Sequence, residues 1–565
     1  MFKKLSDKFS KGIIYLAAFL VTALMAVMMI HIVKESIPAI SQLGIKMFLP
    51  TTEWRPVSQK PQYGLLPAIA GTLYVSAIAV VLALIFGVAC ACFLDYYLPK
   101  KVASIFLAFI DLVAGIPSVI FGFIGLTVLV KAFATHLHMA AGQCILAAGI
   151  VLGIMLLPFV ISTCHESLQT ARKTYEFSAI TLGFSREFTL LHFILPAIRP
   201  GIIAGAMMAF GRALGETMAV MMVIGNSPIY PKLLGRGQTL PALTALEMGS
   251  IEYGSLHLSV LYVANAVLLV ILFIVLGISY LLKRSLPPMR TKLQKFFTRL
   301  ILSILGLCVI IVTLFLFLYV FWKGKKVFSL SFLLDKPAGV PLGTAGGIYP
   351  ALMGSIYLGA LSALIGGILG IGAAIYLVFY STGKRFSVLV NMAITGLSGI
   401  PSILFGLVGY TLLIYRFGLN RSLLCSALCV AAMIIPFVAI RAEKILEEKG
   451  REYMKNSLSL GLSREYALRK LILPVCFVEL LGTVALGMAY GMGAVAPILY
   501  TGAVMQADVP HSLSDPFMSL PYHLYILVNN GFSLDYAYGT AFVLMLFLLI
   551  IQLICKFITY LRKDN

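Results

Sequence analysis

Charged residues are scarce in this sequence of 565 residues. They make up 12% of the chain, while 60% of it is hydrophobic, and a soluble globular chain carries about 25% charged residues. So few charges cannot cover the surfaces of soluble domains, which excludes a soluble multidomain enzyme. The sequence is not disordered either, because disorder needs low hydrophobicity and dense charge. The composition therefore predicts an integral membrane protein with many spans.

The sequence also lacks the motifs of several chemical sites. It has no Gly-x-x-x-x-Gly-Lys-Ser/Thr loop, so we do not expect it to hydrolyse ATP by that route. Its nine cysteines show no paired zinc spacing and no disulfide framework, and its eight histidines show no ligand spacing. Cys425 and Cys429, which stand four residues apart, are interpreted as packing residues. We expect neither a bound metal nor another cofactor.

Positive charge is in excess, with 43 Lys and Arg against 22 Asp and Glu. The basic residues stand in short loops between apolar runs and not on one face of a domain. This distribution is typical of residues that set the orientation of a membrane protein, so we expect the partner to be the lipid bilayer and not a nucleic acid.

Twelve mostly apolar runs are long enough to cross roughly 30 Å of hydrocarbon. They lie at about 12–33, 66–94, 103–130, 140–164, 194–226, 258–282, 300–321, 350–380, 386–415, 420–440, 472–504 and 539–561. The first run is longer than the core of a cleavable signal peptide, so it is interpreted as a membrane anchor. Lys and Arg are more frequent in the loops on the side of the N-terminus, which predicts that both termini are cytoplasmic.

The chain contains an internal repeat. Residues 115–122 (Gly-Ile-Pro-Ser-Val-Ile-Phe-Gly) recur as 399–406 (Gly-Ile-Pro-Ser-Ile-Leu-Phe-Gly). Other pairs follow at nearly the same spacing: Pro158 and Pro436, Arg186 and Arg464, Pro196 and Pro474, Pro67 and Pro350, Gly71 and Gly354. Because an even number of spans separates the copies, they have the same orientation, as in transporters built from parallel repeats.

This repeat predicts the organisation of the chain. A first half of six spans covers 1–284, a basic cytoplasmic linker with two prolines covers 285–299, and a second half of six spans covers 300–565.

A long loop follows the fourth span of each half, at 165–192 and 441–471. Each loop has an acidic start, a glycine, and then an apolar residue with Leu-Pro at the next span. Glycine and proline predict a short helix, a turn, and a second helix that restarts at the proline. An ordinary amphipathic loop on the membrane surface is the alternative. The loops resemble the signature loop of ABC importer permeases, which seats on a motor subunit. The resemblance implies coupling residues Glu176, Ala179, Gly183, Pro196, Glu452, Gly461 and Pro474.

Further motifs narrow the resemblance. The first half reads Arg-Ala-Leu-Gly-Glu-Thr at 212–217, with Trp-Arg-Pro at 54–56, and resembles the first of two permease subunits of the phosphate-specific ABC importer. The second half reads Ser-Leu-Pro-Tyr-His-Leu-Tyr at 519–525, with Ala-Pro at 496–497, and resembles the second subunit. The resemblance implies a natural fusion of two permeases with the type I ABC importer fold, all-α with about twelve spans.

Arg212 is the main candidate for the substrate pathway. It follows Pro200 by about 18 Å at 1.5 Å per residue, which places it deep in the membrane, where arginine costs at least about 2.5–3.5 kcal/mol. Its planar fork matches the oxygens of an oxyanion, and Glu216 lies on the same face. A static ion pair between Arg212 and Glu216 is the alternative. The same motif adds Thr217 to the candidates.

The second half departs from the family at this motif. By the spacing of the repeat, Arg212 corresponds to Tyr490 and Glu216 to Ala494, so a usual arginine and glutamate are missing. The phenol of Tyr490 is a candidate replacement donor. Ser118 and Ser402, which follow the paired prolines, are candidate pathway hydroxyls at a point where a helix is broken, although such serines more often bond to local carbonyls.

The sequence thus predicts a permease that moves inorganic phosphate by alternating access and is not itself an enzyme. The implied partners are two copies of a cytoplasmic ATP-binding subunit and an extracytoplasmic phosphate-binding protein, which docks on the loops 34–64, 227–257, 322–348 and 506–538. The implied location is the inner membrane of a cell. Alternatives are an importer of another oxyanion (molybdate or sulfate), a secondary carrier or channel, and a degenerate or regulatory permease.

Overall fold

The computed structural model describes residues 2–285, 295–341, 343–381 and 384–561. Most of the predicted basic linker, 286–294, lies outside the described residues. Within them, the chain is mainly helical, with two short antiparallel hairpins. In one, β1 (Trp54–Arg55) pairs with β2 (Gln62–Tyr63); in the other, β3 (Pro337–Ala338) pairs with β4 (Ala345–Gly346).

The α-helices before the linker are α1 (Phe2–Leu43), α2 (Leu66–Tyr96), α3 (Lys100–Ala114), α4 (Ser118–Ile124), α5 (Lys131–His136), α6 (Ile145–Thr181), α7 (Arg186–Thr189), α8 (Leu195–Ala197), α9 (Arg199–Leu214), α10 (Met218–Val223), α11 (Leu240–Glu247) and α12 (Leu256–Ser285). Those after it are α13 (Lys295–Gly324), α14 (Leu330–Leu334), α15 (Tyr349–Ile375), α16 (Lys384–Gly399), α17 (Ser402–Gly409), α18 (Leu423–Ile445), α19 (Arg451–Ser459), α20 (Arg464–Ala467), α21 (Leu473–Met492), α22 (Leu520–Asn529) and α23 (Leu534–Leu561).

Shorter helical segments join several of these helices. The π-helical segments are Gly125–Val130, Leu190–Ile194, Tyr376–Tyr380, Tyr410–Arg416, Leu446–Gly450 and Leu468–Ile472. The 3-10 segments are Gly44–Phe48 and Met248–Ser250.

Ten continuous helices in the described part of the chain are long and apolar enough to cross a membrane. Two bent pairs raise the number to 12 when each pair is counted as one span. The predicted fold class, an all-α membrane protein with about twelve spans, is confirmed.

Two predicted spans are not single helices, because prolines interrupt them at the expected helix break. The runs predicted at 103–130 and 386–415 break before Ser118 and Ser402, where Pro117 and Pro401 adopt extended backbone angles (ψ 140° and 138°). The two helices of the second break are bent by 100°. Proline cannot donate a backbone hydrogen bond and clashes with the preceding turn, so both repeats break at the same motif.

The spans predicted at 194–226 and 472–504 are also interrupted. The first has a 60° bend between Ala197 and Arg199, and its helix α9 ends at Leu214, before Gly215. In the second, α21 ends at Met492, before Gly493. Glycine is a poor helix former, and it stands at both endpoints, which correspond in the repeat.

The repeat predicted from the sequence is present in the backbone contacts. The Thr72 hydroxyl accepts a hydrogen bond from the N–H of Leu240 at 2.9 Å, and the Ser355 hydroxyl accepts one from the N–H of Leu520 at 2.8 Å. Each of these bonds lies at the first residue of a short helix, α11 or α22. The preceding glycines, Gly71 and Gly354, allow this close approach: a Cβ atom there would lie 2.2 Å and 2.0 Å from a carbonyl oxygen.

The chain divides into two compact units that differ from the two halves of the sequence. The α1 unit contains Met1–Pro38, Met248–Val263 and Gly324–Asn565; the α2 unit contains Ala39–Glu247 and Ala264–Lys323. Each unit thus includes the first helix of the other half of the sequence. The halves 1–284 and 300–565 remain a prediction about the repeat.

The α2 unit is built around α2 and α6, which pack through small residues. Gly87 faces Val160, and Gly149 faces Ile78. Close packing over small residues is how helices associate in a membrane, where the hydrophobic effect offers no driving force. Helix α13 packs against α3 in this unit, with the rings of Phe317 and Phe109 4.7 Å apart.

The α1 unit is built around α15, α18 and α21, again over glycines. Gly370 lies against Val438, and Gly491 lies against Ile434. Helix α1 joins this core through Tyr15, whose ring is 5.1 Å from that of Tyr376. Small residues therefore bring three helices of the second half into contact, and an aromatic pair adds one helix of the first half.

Candidate functional site

Arg212 lies in the last turn of α9. Its guanidinium carbon is 4.2 Å from the ring centre of Phe159 on α6. Its Nε is buried and has no hydrogen-bond partner among the described residues. A buried donor without a partner costs about 1–3 kcal/mol, and a cation–π contact returns about 0.5–2 kcal/mol. The ring therefore fixes the guanidinium while one donor stays available to an anion.

Glu216 lies beside Arg212, in the break between α9 and α10. Its carboxylate accepts a hydrogen bond from the N–H of Ala219 at 3.3 Å. The Ser118 hydroxyl and the Met218 N–H also donate to it, and the charge of Arg212 acts on it. The structure thus brings together Arg212, Glu216 and Ser118, three residues predicted from the sequence. The carboxylate of Glu216 is held by hydrogen-bond donors other than the guanidinium. Arg212 and Glu216 therefore do not form a tight, static ion pair.

Thr217 is the last residue of the Arg-Ala-Leu-Gly-Glu-Thr motif, and its side chain bonds to the nearby backbone. It is buried, and its hydroxyl donates to the carbonyl of Gly215 at 3.4 Å. At that length the hydrogen bond is weak. The contact that the structure gives Thr217 is therefore a local one, at the helix break.

In the second half, a phenylalanine at the corresponding position contacts a different side chain. We call Phe159 and Phe437 the aromatic platforms of the two halves. Phe437 corresponds to Phe159 in the repeat, and Tyr490 stacks on it with ring centres 5.6 Å apart and an angle of 22°. Tyr490 thus takes the place on the ring that Arg212 takes in the first half. Ser402 begins α17 as Ser118 begins α4, but Ala494 replaces Glu216 and offers no carboxylate to its hydroxyl.

Arg441 is a further candidate that the sequence reasoning missed. Its guanidinium carbon lies 4.9 Å from the ring centre of Phe437, so the second platform also carries a cation. Arg441 follows Phe437 by four residues on α18. Residues at this spacing lie on the same face of a helix, so the sequence could have indicated the contact. We had counted it as part of the basic loop at 441–471, whereas α18 continues to Ile445.

Both predicted coupling loops contain a helix, a glycine turn and a second helix. Gly183 and Gly461 have φ angles of 80° and 76°, a conformation that favours glycine. The hydroxyls of Ser185 and Ser463 then cap the following helices, each accepting a backbone N–H at 3.3 Å. The predicted turn is confirmed in both copies.

The restart of the second helix at proline is wrong. Helices α7 and α20 begin at Arg186 and Arg464, well before Pro196 and Pro474, because the serine caps start them. In the second copy the helix is continuous from Arg464 to Met492. Proline is tolerated within the first turn of a helix, and here it follows helical residues.

Comparisons with known proteins identify the family of this chain. A family model described as the binding-protein-dependent transport system inner membrane component matches residues 83–286. A probable phosphate transport system permease protein PstC from Methanocaldococcus jannaschii is 35% identical over 286 residues, which are 47% of this chain and 90% of that protein. The chain belongs to this family.

Other relatives carry related names. The phosphate transport system permease protein PstC of Xylella fastidiosa is 34% identical and covers 47% of this chain and 90% of its own length. The phosphate transport system permease protein PstA 2 of Mycobacterium bovis is 31% identical and covers 45% of this chain and 84% of its own length.

As a binding-protein-dependent permease, the protein is a multi-pass component of the inner membrane. It is a transport component and not an enzyme. Membership of the family implies ATP-binding subunits and a substrate-binding protein as partners. The comparisons thus confirm the class of machine that the sequence predicted.

The two coupling segments of this permease differ in their anchoring. Glu176 accepts two hydrogen bonds from Arg172, at 2.8 and 3.1 Å, and Arg172 also donates to the carbonyl of Asp95 at 2.8 Å. Ala179 packs in the interior. The corresponding region of the second copy has Glu452 exposed to solvent. The first segment is therefore tied to the end of α2, whereas Glu452 stays on the surface.

No group of three His, Cys, Asp or Glu side chains that could hold a metal ion occurs within the described ranges. None of the nine cysteines forms a disulfide in the described part of the chain, and most are buried.

Proposed function

We propose that this chain is the permease of an ATP-driven importer of inorganic phosphate that works by alternating access. The observation that carries the proposal is the Arg212 guanidinium, fixed on Phe159 with a buried, unpartnered Nε. A guanidinium donates to two oxygens of a phosphate at once, which a lysine cannot do. The names of the relatives, which are phosphate transport permeases, support the same substrate.

We also propose that one chain does the work of two permease subunits. Relatives named PstC and PstA each match a little under half of the chain at 84–90% of their own length. The internal repeat supports this proposal, because two equivalent sets of backbone contacts recur in the chain. Each repeat also carries a cation on its aromatic platform, Arg212 in the first and Arg441 in the second.

In the proposed cycle, Arg212 attracts the anion and Glu216 limits how tightly it is held. A carboxylate beside the guanidinium repels a fully ionised anion, but it accepts a hydrogen bond from an oxyanion that still carries a proton. Ser118 and Tyr490 are proposed to add neutral donors along the path. Thr217 and Ser402 are also proposed to line the pathway.

Two copies of an ATP-binding subunit are proposed to drive the cycle through the segments 165–192 and 441–471. Each segment carries one helix-turn-helix unit, so one motor subunit fits each segment. The motors act from the cytoplasm, and both termini are proposed to lie on that side. The phosphate-binding protein is proposed to dock on the opposite side, at the loops 34–64, 227–257, 322–348 and 506–538.

Another oxyanion, molybdate or sulfate, is the second candidate substrate. The specific observation in its favour is the tyrosine that replaces an arginine on Phe437. Sulfate and molybdate are fully ionised at neutral pH, so Glu216 disfavours them, and phosphate remains the proposal.

Uptake of labelled phosphate into proteoliposomes tests the proposal. The chain is reconstituted with its ATP-binding subunit and binding protein, and Arg212→Ala is compared with Arg212→Lys and with Arg199→Ala, which removes a charge elsewhere on α9. We expect Arg212→Ala to reduce uptake by about 10–100-fold, the loss of a charge-assisted hydrogen bond. Arg212→Lys restores only part of it, and Arg199→Ala retains uptake. Transport of sulfate or molybdate without phosphate would overturn the substrate, and a lack of any oxyanion transport would favour a regulatory permease.

A further inference from the structure

Six side chains of the α1 unit form a tyrosine–arginine cluster: Tyr410, Tyr415, Arg421, Tyr500, Tyr522 and Tyr525. They come from three parts of the chain, namely the Tyr410–Arg416 segment with the loop after it, the turn before residue 503, and α22. Tyr410 and Tyr525 are buried, while Arg421 and Tyr415 reach solvent. The cluster therefore extends from the interior to the surface.

Arg421 is the charged centre of this cluster. Its guanidinium donates to the hydroxyl of Tyr410 at 3.3 Å, which uses one of its five N–H donors. The same charge acts on Tyr415 and Tyr522. No ion pair joins Arg421 to a carboxylate in the described part of the chain, so its positive charge is not neutralised there. An uncompensated guanidinium attracts an anion.

The tyrosine hydroxyls add neutral donors around this charge. Tyr410 and Tyr415 have their hydroxyl oxygens 3.0 Å apart. The backbone N–H of Gly249 donates to the hydroxyl of Tyr500. Tyr500 also interacts electrostatically with Tyr410, Tyr522 and Tyr525. A phenol can donate to an oxyanion and can also accept from one that carries a proton.

The position of the cluster is set by α18. Arg421 stands just before the first residue of α18, and the second coupling segment follows its last residue. This helix of 23 residues is about 34 Å long at 1.5 Å per residue. The cluster therefore lies at the end of α18 remote from the ATP-coupling segment, where substrate released by a binding protein arrives.

The first repeat has no such cluster in its sequence. By the spacings of the repeat, Arg421, Tyr500, Tyr522 and Tyr525 correspond to Gln143, Met222, Ala242 and Ala245. The second half has Tyr490 where the first half has Arg212, so it lacks an arginine at that depth. It has Arg421 instead, at the outer end of α18.

We propose that the tyrosine–arginine cluster is a reception site for the transported oxyanion, favouring one that carries a proton, such as hydrogen phosphate. The inference rests on the proposed function and extends it to a first binding site. An anion held by Arg421 and the phenols is desolvated in steps before it moves inward.

Two measurements on the complete importer test this inference. The first compares phosphate uptake in Arg421→Gln, Tyr522→Phe and the control Arg416→Gln, which removes an equal charge next to Tyr415 from a residue that is not a member of the cluster. We expect Arg421→Gln to lower the maximal uptake rate by about tenfold, as for one charge-assisted hydrogen bond. Tyr522→Phe lowers it less, and Arg416→Gln leaves it unchanged. The amount of loaded binding protein that gives half-maximal uptake should not move.

The second measurement places a fluorotyrosine at position 522 and follows its fluorine signal while phosphate, sulfate or molybdate is added to the permease in nanodiscs. A saturable shift with phosphate that Arg421→Gln abolishes and Arg212→Ala retains supports the site. If phosphate uptake fails but another oxyanion shifts the signal, the proposed substrate is wrong and the cluster stands.

Three results would overturn the site. One is normal uptake in Arg421→Gln, and another is a fluorine signal that no oxyanion moves. The third is a loss that appears only as weaker docking of the binding protein, which would make the cluster a docking surface.

Discussion

Arg212 and Tyr490 occupy corresponding positions in the two repeats, and each rests on the corresponding phenylalanine. The guanidinium lies 4.2 Å from the ring centre of Phe159, and the phenol ring lies 5.6 Å from that of Phe437. The platform is thus common to both halves, and the chemistry placed on it differs. An arginine carries charge to the first platform, whereas a tyrosine brings only a neutral hydroxyl to the second.

The aromatic platform predicts an effect for Phe159→Leu. Without the ring, Arg212 loses a cation–π contact of about 0.5–2 kcal/mol and adopts more orientations. We expect phosphate uptake in proteoliposomes to fall by about 2–30-fold, while Phe159→Tyr, which keeps the ring, retains most of it. Equal uptake in the leucine and tyrosine variants would mean that the ring does not position the guanidinium.

Arg441 and Tyr490 both contact Phe437, so an arginine at position 490 is predicted to restore uptake that is lost when Arg441 is replaced. We expect Arg441→Gln to reduce uptake by about tenfold, because the guanidinium near Phe437 is lost. Adding Tyr490→Arg should restore part of the uptake, since it returns a guanidinium to the same ring.

The control for this rescue is Lys444→Gln, an exposed cation that shares the segment 441–471 with Arg441, and uptake should fall less in it than in Arg441→Gln. A reduction of the same size in Lys444→Gln would make Arg441 one more cytoplasmic charge that sets orientation. A double variant no better than Arg441→Gln alone would exclude a shared role with Tyr490.

The tie between Arg172 and Glu176 predicts a loss of stability and coupling. In Arg172→Gln the carboxylate of Glu176 and the carbonyl of Asp95 lose charged donors, so we expect the free energy of unfolding to fall by about 1–3 kcal/mol. The number of phosphates transported per ATP should also fall, because the first coupling segment is no longer tied to α2. Thermal unfolding in nanodiscs and paired uptake and ATPase assays measure the two effects.

The matched control for this pair is Arg451→Gln. Arg451 donates to Glu447 at 2.5 Å in the second copy, but the side chains are 62% and 43% exposed. An exposed pair contributes about 0–1 kcal/mol, so Arg451→Gln should hardly change the free energy of unfolding. If both arginine variants lose the same stability, burial is not what makes the first pair matter.

Asp515 predicts the pH dependence of one loop. Hydrogen bonds from the N–H of Ser512 and from its hydroxyl, and then from the N–H of His511, hold the pKa of Asp515 below its ordinary value. The ordered loop is therefore stabilised at every pH above the unfolded pKa, which is about 3.9. That stabilisation is lost as the pH falls through the lower, folded pKa.

Hydrogen exchange of residues 511–515, corrected for the intrinsic pH dependence, measures this effect. We expect protection to be constant from neutral pH down to about pH 4 and to fall below it. Asp515→Asn should lack the transition. The N–H of Leu423 also donates to the carbonyl of Asp515, so exchange at the start of α18 should follow. A transition centred above the ordinary pKa of aspartate would contradict the hydrogen-bonded carboxylate.

Much of the fold could be predicted from the sequence because hydrophobic length is a local property. Runs such as 66–94 and 350–380 are long enough to span a bilayer whatever surrounds them, and the structure has helices there. A helix break was expected at the serines after Pro117 and Pro401, because proline ends the preceding helix. The sequence did not predict how strongly the chain bends there, which is 100° at the second break.

The candidate site could be predicted in part for a similar reason. An arginine deep in an apolar segment is costly, so Arg212 stood out, and Glu216 followed from its helical spacing. Ser118 was named from the repeat alone, and the structure places its hydroxyl against Glu216. Arg441 was not found, because at the edge of a basic loop its charge resembles those that set orientation.

The sequence by itself determined that this protein spans a membrane, that it is built from a repeat, and that each repeat carries a segment resembling the signature loop of importer permeases. Those properties depend on the order of residues along the chain. Only the tertiary structure decided which ring supports each cation, how helices group into units, and that Tyr410, Tyr500 and Tyr522 gather near Arg421. These contacts join residues far apart in the chain, and their distances depend on how glycines and other small residues let the helices pack.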